Sequence, residues 1–413
     1  MTKKLNMYIP EPVVGVMDRL EESGFEAFAV GGCVRDSLMG RVPGDYDVTT
    51  SAVPEEMLQV FDGWRVVETG LQHGTVTVVT HGMNVEVTAY RLDGVYLDNR
   101  HPSDVTFTRS LAEDLARRDF TVNAMAYSHK RGLVDLYDGQ GDLERKIIRC
   151  VGSAEKRFSE DGLRILRAIR FSSVLGFTPE EGDTAPAIHA MAHLLRGISR
   201  ERIHVELRKL LGGICAGEIL MGYGDVIAEA LPELSADAVH TAGQRILSLE
   251  NTAMPCAEDG ALRFAVLMKD LPGDKAKTAV RSLKMSREEE REIYALLEDY
   301  PVFAADRSRY TLRLLAGKNG YRHLYRLSAF LAAVENLDKG IWEKINEDIR
   351  AIETENPPNT LKDLTVSGED LLCLGITGKK IGETLQYLLA LVLKDEAEND
   401  REVLLKRIGE INQ

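Results

Sequence analysis

Short alternating runs crowd the first third of the chain, and helical periods fill the rest. Residues 25–30 (FEAFAV) predict a strand, followed by Gly31-Gly32 and a short helix over 34–39. Residues 46–49, 75–79 and 85–90 are rich in Val, Thr and Tyr and predict further strands. In the last of these, Val85 and Val87 point to the core, which leaves Glu86 and Thr88 on the opposite face. Ser110 with Glu113 three residues on predicts a capping box opening a helix over about 111–126. After Leu143 the strand signal fades, and helices are expected at 160–175, 199–211, 287–298 and 381–393. The paired prolines of residues 354–360 (TENPPNT) mark a linker, and a further boundary is expected near Gly212-Gly213. The pattern gives an α/β head followed by a long α-helical body.

Length and composition fit this picture. At 413 residues, with 44% hydrophobic and 28% charged residues, the chain predicts two to four domains of an ordinary globular protein. The N-terminal segment has no apolar core of signal-peptide length. The apolar run 388–393 is too short to span a bilayer, so no membrane partner and a cytoplasmic location are expected. Cys33, Cys150, Cys215, Cys256 and Cys373 are scattered, which argues against a disulfide framework or a zinc site. A net charge of −14 is unfavourable for a partner rich in phosphate, but it is unevenly spread. Between Arg145 and Lys209 stand 13 basic and 8 acidic residues, which permits an RNA surface there. The segment 307–326 mixes arginines with Tyr310, Tyr321 and Tyr325; it fits either phosphate contacts with stacking or a solvated basic helix face.

Candidate chemistry begins with Asp45-Tyr46-Asp47. On a strand, residues i and i+2 share a face, so both carboxylates can converge on one small volume. Adjacent anions repel unless a cation lies between them, and hard oxygen ligands favour Mg²⁺ together with substrate phosphates. Alone, such a pair is more often a solvated acidic turn. Upstream, however, Gly31-Gly32 joins a strand to a helix, where backbone N–H groups can approach a triphosphate. Glu86 offers a third carboxylate, and three would suit two-metal phosphoryl transfer.

Five stretches then carry a resemblance: residues 30–52 (VGGCVRDSLMGRVPGDYDVTTSA), the strand around Glu86, 117–127 (RRDFTVNAMAY), 135–149 (DLYDGQGDLERKIIR) and 160–171 (EDGLRILRAIRF). In order and spacing they resemble the motifs of the class II tRNA nucleotidyltransferases, the CCA-adding enzymes and bacterial poly(A) polymerases of the polymerase-β superfamily. Residues 73–79 and 199–213 reinforce the match, which covers the first 210 residues well and the remainder loosely. The resemblance implies an α+β fold: a polymerase-β-like head with a mixed or antiparallel sheet, then an all-α neck, body and tail. It implies a head at 1–150, a base-selecting neck at 151–213, a body at 214–353 and a tail at 354–413.

The same resemblance assigns residues. Asp45, Asp47 and Glu86 match the catalytic metal ligands, and Gly31, Gly32 and Arg35 the triphosphate motif. Arg118, Asp119 and Asn123 match the ribose-contacting motif, while Arg117 is better read as a helix cap and ion pair. Asp161, Arg164 and Arg167 complete the nucleotide-binding set. At i and i+3 of one helix, Asp161 and Arg164 would form an amino-acid template. An Asp acceptor with an Arg donor matches the amine and ring nitrogen of cytosine or adenine, and misfits the carbonyl of uracil or guanine. The implied activity is addition of C, C and A to the 3′ end of tRNA from CTP and ATP. An A-adding enzyme or poly(A) polymerase shares these motifs, and an inactive RNA-binding derivative would not need all three acids. The segment 93–104 lies where the family has a flexible loop that CC-adding relatives lack. Oligomeric state is not legible.

Overall fold

The computed structural model describes residues 7–68, 70–93, 105–251, 256 and 258–411. They fall into two compact units, Met1–Cys215 with Tyr223–Pro232, and Ala216–Gly222 with Glu233–Gln413.

The first unit is built on strands β1 (Ala27–Val30), β2 (Asp47–Thr50), β3 (Arg65–Val67), β4 (Thr75–Thr80), β5 (Met83–Ala89), β6 (Arg91–Asp93), β7 (Val105–Phe107), β8 (Met125–Ser128) and β9 (Gly132–Asp135). Seven form one mixed sheet in the order β3-β4-β5-β2-β1-β8-β9, while β6 and β7 make a separate ribbon. The β2–β5 pair is parallel and the other neighbours in the large sheet are antiparallel. Alternation divides the side chains between two cores. Ala27, Ala29, Val48, Val85 and Val87 pack with Val13, Val16, Met17 and Leu20 of helix α1 (Glu11–Glu22). Phe28 and Val30 point the other way, to Tyr90, Leu115 and Ala126. Asp47 and Glu86 alternate with Val48, Val85 and Val87, and so stand on that second face.

Around the sheet run α2 (Gly32–Leu38), α3 (Pro54–Val60), α4 (Leu111–Ala116) and α5 (Gly139–Arg145). Next come α6 (Ala154–Glu160), α7 (Leu163–Leu175), α8 (Thr184–Ala190) and α9 (Arg200–Leu211). Helix α10 (Ala216–Gly222) belongs to the second unit, whereas α11 (Gly224–Ala230) returns to the first.

Two helices differ from expectation. The one expected over 111–126 ends at Ala116. Ser110 does accept the Glu113 N–H, but the Glu113 carboxylate takes the Thr108 hydroxyl instead of closing a box. The chain then turns through a 3₁₀ segment, Thr121–Asn123, into β8, because Phe120 and Val122 are wholly buried and the sheet claims Met125–Ser128. The helix expected over 160–175 is present as α7 but begins at Leu163, because a break separates it from Glu160, the last residue of α6. Asp161 adopts φ −146°, ψ 104° and terminates α6, and Gly162 opens α7.

Among the described residues of the second unit, every regular element is a helix. The unit comprises α10, α12 (Ala236–Asn251), α13 (Gly260–Met268), α14 (Gly273–Ser282), α15 (Arg287–Ala305) and α16 (Arg309–Asn319). The series continues through α17 (Tyr321–Glu335), α18 (Lys339–Glu355), α19 (Gly368–Cys373), α20 (Lys379–Leu393) and α21 (Arg401–Ile411). Helices α10 and α12 touch backbone to backbone, since a Cβ on Gly217 would lie 2.5 Å from the Leu247 nitrogen. The segment expected as a linker does break α18, at Asn356 with φ 46°, but it is not loose. The buried Arg313 donates to Pro358 O at 2.9 Å, Leu393 O at 3.1 Å and the Asp395 carboxylate at 2.8 Å. Among the described residues, no helix is long and apolar enough to cross a membrane.

Candidate active site

Strand pairing creates the acidic floor. Asp47 opens β2 and Glu86 lies mid-β5, and the parallel register makes them direct partners. Asp45 precedes them by two residues in the loop, and all three side chains reach solvent. The Asp47 carboxyl is pushed up to about 6, first by the protein mass that displaces its outer water, then by the charges of Asp45 and Glu86. The Arg118 guanidinium pulls in the opposite direction. Like charges that disfavour one another in this way are what a hard divalent cation relieves, and an all-carboxylate donor set fits one. Among the described residues, no three carboxylate, imidazole or thiol groups stand close enough to form a finished ligand shell.

The glycine turn sits above Arg118. Gly31 has φ 78°, and a Cβ there would lie 3.3 Å from Arg118 Nη1. Arg118 reaches this place because Asp114, fully buried on α4, accepts from both Arg117 at 2.7 Å and Arg118 at 3.3 Å. Thr49 of β2 also donates to Asp114, which ties the pair to the sheet. Burial alone would raise Asp114, but the two guanidinium groups hold it below its usual range. Arg117 therefore caps the C-terminus of α4 and is ion-paired as expected, but the pair is not at the surface, since Asp114 is fully buried.

A second chain of polar contacts links the remaining candidates. Arg35 donates to Asn123 Oδ1 at 2.6 Å, and Asn123 donates to Asp119 Oδ1 at 3.2 Å. Asp119 meets Arg167 of α7 at 2.6 Å. Burial penalises the Asp119 charge, yet Arg167, Arg164 and Asn123 hold its carboxyl well below the usual carboxylate range. Arg35, Arg167 and Arg170 all lie over the Phe171 ring, Arg170 at 3.5 Å from its centre.

Asp161 and Arg164 do not share a helix face. Asp161 lies in the break between α6 and α7, where its carboxylate accepts from Leu163 N at 3.1 Å and from Arg202 of α9 at 2.6 Å. Arg164 is buried and donates to Glu160 at 2.6 Å and to the carbonyls of Arg157 and Arg117. Residues absent from the candidate set thus lie within it: Glu160, Arg202 and Glu206, the last accepting from Arg170 at 2.9 Å. Glu206 left a trace in the sequence as an acid among the buried positions Ile203, Leu207 and Leu210 of α9. Arg202 left none.

Residues 94–104 of the expected loop lie outside the described residues. In the second unit the basic stretch is largely engaged with its own neighbours. Arg307 caps carbonyls of α15, Arg309 pairs with Glu355 at 2.5 Å, Arg313 is buried, and Arg326 meets Asp259 at 2.6 Å. The hydroxyls of Tyr321 and Tyr325 bond to Ile352 O and Glu353.

The chain matches the poly A polymerase head domain over residues 27–149 and tRNA nucleotidyltransferase domain 2 over 258–408. It is 36% identical to a CCA-adding enzyme of Geobacillus kaustophilus, covering 98% of this chain and 97% of that protein. A CCA-adding enzyme of Leuconostoc mesenteroides is 35% identical over 95% of this chain and 94% of its own. Among solved structures, the Bacillus stearothermophilus CCA-adding enzyme in complex with CTP superposes with a TM-score of 0.76 at 32% identity, covering 98% of both chains. Members of this family of nucleotidyltransferases use a divalent metal. The chain belongs to the CCA-adding enzymes, the class II tRNA nucleotidyltransferases whose head is shared with the poly(A) polymerases.

Proposed function

We infer that nucleotide transfer takes place over the acidic floor of the first unit, with Asp45, Asp47 and Glu86 as ligands for Mg²⁺. The activity is template-independent addition of C, C and A to the 3′ end of tRNA, using CTP and ATP and releasing pyrophosphate. The observation that carries the site is the register pairing of Asp47 with Glu86 on neighbouring strands, where the Glu86 charge helps to raise the Asp47 carboxyl. When bound, the metal lowers the charge of the triphosphate and favours the deprotonated 3′ hydroxyl of the tRNA.

The protein's own groups do the rest. Gly31 and Gly32 leave room for phosphate oxygens beside Arg118, and Arg35 is oriented towards Asn123 and Asp119. The chain Arg35–Asn123–Asp119–Arg167 fixes donors and acceptors next to the ribose position, so that a 2′-hydroxyl can be both bonded and required. Asp161 supplies an acceptor for the exocyclic amine of cytosine or adenine, and Arg164 a donor for the neighbouring ring nitrogen. In that role Arg164 exchanges Glu160 for the base. We divide the chain into a head at 1–150, a neck at 151–213, a body at 214–353 and a tail at 354–413, and place its action on tRNA in the cytoplasm.

An A-adding enzyme or a poly(A) polymerase is not favoured, since the relatives that span nearly the whole chain are CCA-adding enzymes. Separate incubations test the reading: tRNA ending at its discriminator base is extended with CTP alone, and tRNA ending in CC accepts one residue from ATP alone. Extension only in the second reaction would make the chain an A-adding enzyme.

A further inference from the structure

Asp161 joins α6 to α7, its N–H donating to Arg157 O at 3.4 Å and its carbonyl accepting from Arg164 N at 2.9 Å, which anchors the backbone but does not by itself set the direction of the side chain. Two donors do. The Leu163 N–H, at the start of α7, holds Oδ1 at 3.1 Å, and the Arg202 guanidinium, reaching across from α9, holds Oδ2 at 2.6 Å. The Arg202 Nη1 is buried and meets no acceptor. A buried N–H left unmet is costly, so this pose does not optimise Arg202's own hydrogen bonding. What the pose secures is the orientation of the Asp161 carboxylate, which stays 16% exposed.

We propose that Arg202 is a positioning residue for base selection: by clamping one carboxylate oxygen while the α7 amide clamps the other, it fixes Asp161 as an acceptor facing the incoming base. The proposal rests on the reading of Asp161 as the partner of the exocyclic amine. A carboxylate offers about four lone-pair sites, so two donors still leave acceptor capacity for an amine. A fixed acceptor meets a uracil or guanine carbonyl with two opposed lone pairs, which is where discrimination arises. If the carboxylate can swing away, that opposition is relieved and the wrong base is tolerated. Glu160 and Arg164, by contrast, form their own pair and do not hold Asp161.

The experiment compares kcat/KM for CTP and UTP on tRNA ending at the discriminator base, for the wild-type chain and for Arg202→Met, Arg202→Lys and Asp161→Asn. Arg202→Met is expected to reduce the CTP:UTP ratio by about tenfold or more, chiefly through a gain in UTP turnover relative to CTP. Arg202→Lys, which keeps one donor, should recover part of the ratio. A purely structural Arg202 would instead lower both nucleotides in proportion, with a lower unfolding temperature and an unchanged ratio, and that result overturns the proposal. An unchanged ratio in Arg202→Met alongside a collapsed ratio in Asp161→Asn overturns the clamp alone. A full wild-type ratio in Asp161→Asn overturns the base-reading role on which it rests.

Discussion

Asp47 and Glu86 face each other across the parallel β2–β5 pair, 39 positions apart in the chain and in direct register. Unpaired, such acids oppose one another, and the Asp47 carboxyl is raised to about 6 in consequence of its crowded setting and its acidic neighbours. Replacing Asp47 by Asn keeps the strand and removes the charge. Incorporation of labelled CTP into tRNA should fall by about a hundredfold or more. Circular dichroism and the unfolding midpoint should be close to wild type, or slightly improved. Full incorporation by the variant would remove Asp47 from the metal site.

Asp119 and Arg167 lie 48 positions apart and close a pair at 2.6 Å, with Asp119 only 10% exposed. Asp119→Asn leaves Arg167 with Glu206 at 3.5 Å and a side chain 32% exposed, so the loss in urea unfolding at neutral pH should be about 1–2 kcal/mol. The pH dependence follows from the sign of the shift. The folded carboxyl is depressed, so its contribution is complete above the unfolded value of about 3.9 and disappears as pH falls towards the folded one. Between neutrality and pH 3 the wild type should therefore lose more stability than Asp119→Asn does. Parallel pH profiles would mean that the pair does not bias folding.

Gly31 requires the absence of a side chain twice over, through φ 78° and through Arg118 Nη1 at 3.3 Å from its would-be Cβ. With ψ −129° Gly31 lies outside the left-handed helical region as well, so Gly31→Ala should cost about 1–3 kcal/mol of stability from the backbone alone. It should also raise KM for CTP and ATP several-fold, because Arg118 is anchored to Asp114 and can yield only by leaving it. An unchanged KM would show that the turn does not approach the nucleotide.

Arg313 donates to two backbone carbonyls of the second unit, Pro358 O and Leu393 O, and to the Asp395 carboxylate. Arg313→Met should lower stability by on the order of 3 kcal/mol and open residues 356–360 to limited proteolysis. Resistance equal to wild type would show that the proline segment holds its place without the arginine.

Much of the site was legible because its chemistry is local. Asp45 and Asp47 are two residues apart, Gly31-Gly32 adjoins a strand, and the alternation of Val85, Glu86 and Val87 announced the strand face. The periods misled where a helix pattern ran across a break. Residues 111–126 kept a helix-like spacing of apolar positions, yet Phe120 and Val122 are fixed by the core and the sheet takes Met125–Ser128. Asp161 reads as helical from its neighbours, but Gly162 packs so closely on Leu194 that a Cβ there would lie 3.0 Å from the Leu194 Cβ. Contacts such as Asp161 with Arg202 or Arg170 with Glu206 join separate helices, and no local spacing encodes them.

Sequencing the product made from tRNA that ends at its discriminator base, with CTP and ATP supplied together and a divalent metal present, is the most direct test of CCA addition. The prediction is a single product extended by C, C and A, absent when the metal is chelated. A product carrying A alone, or a run of A residues, would contradict it.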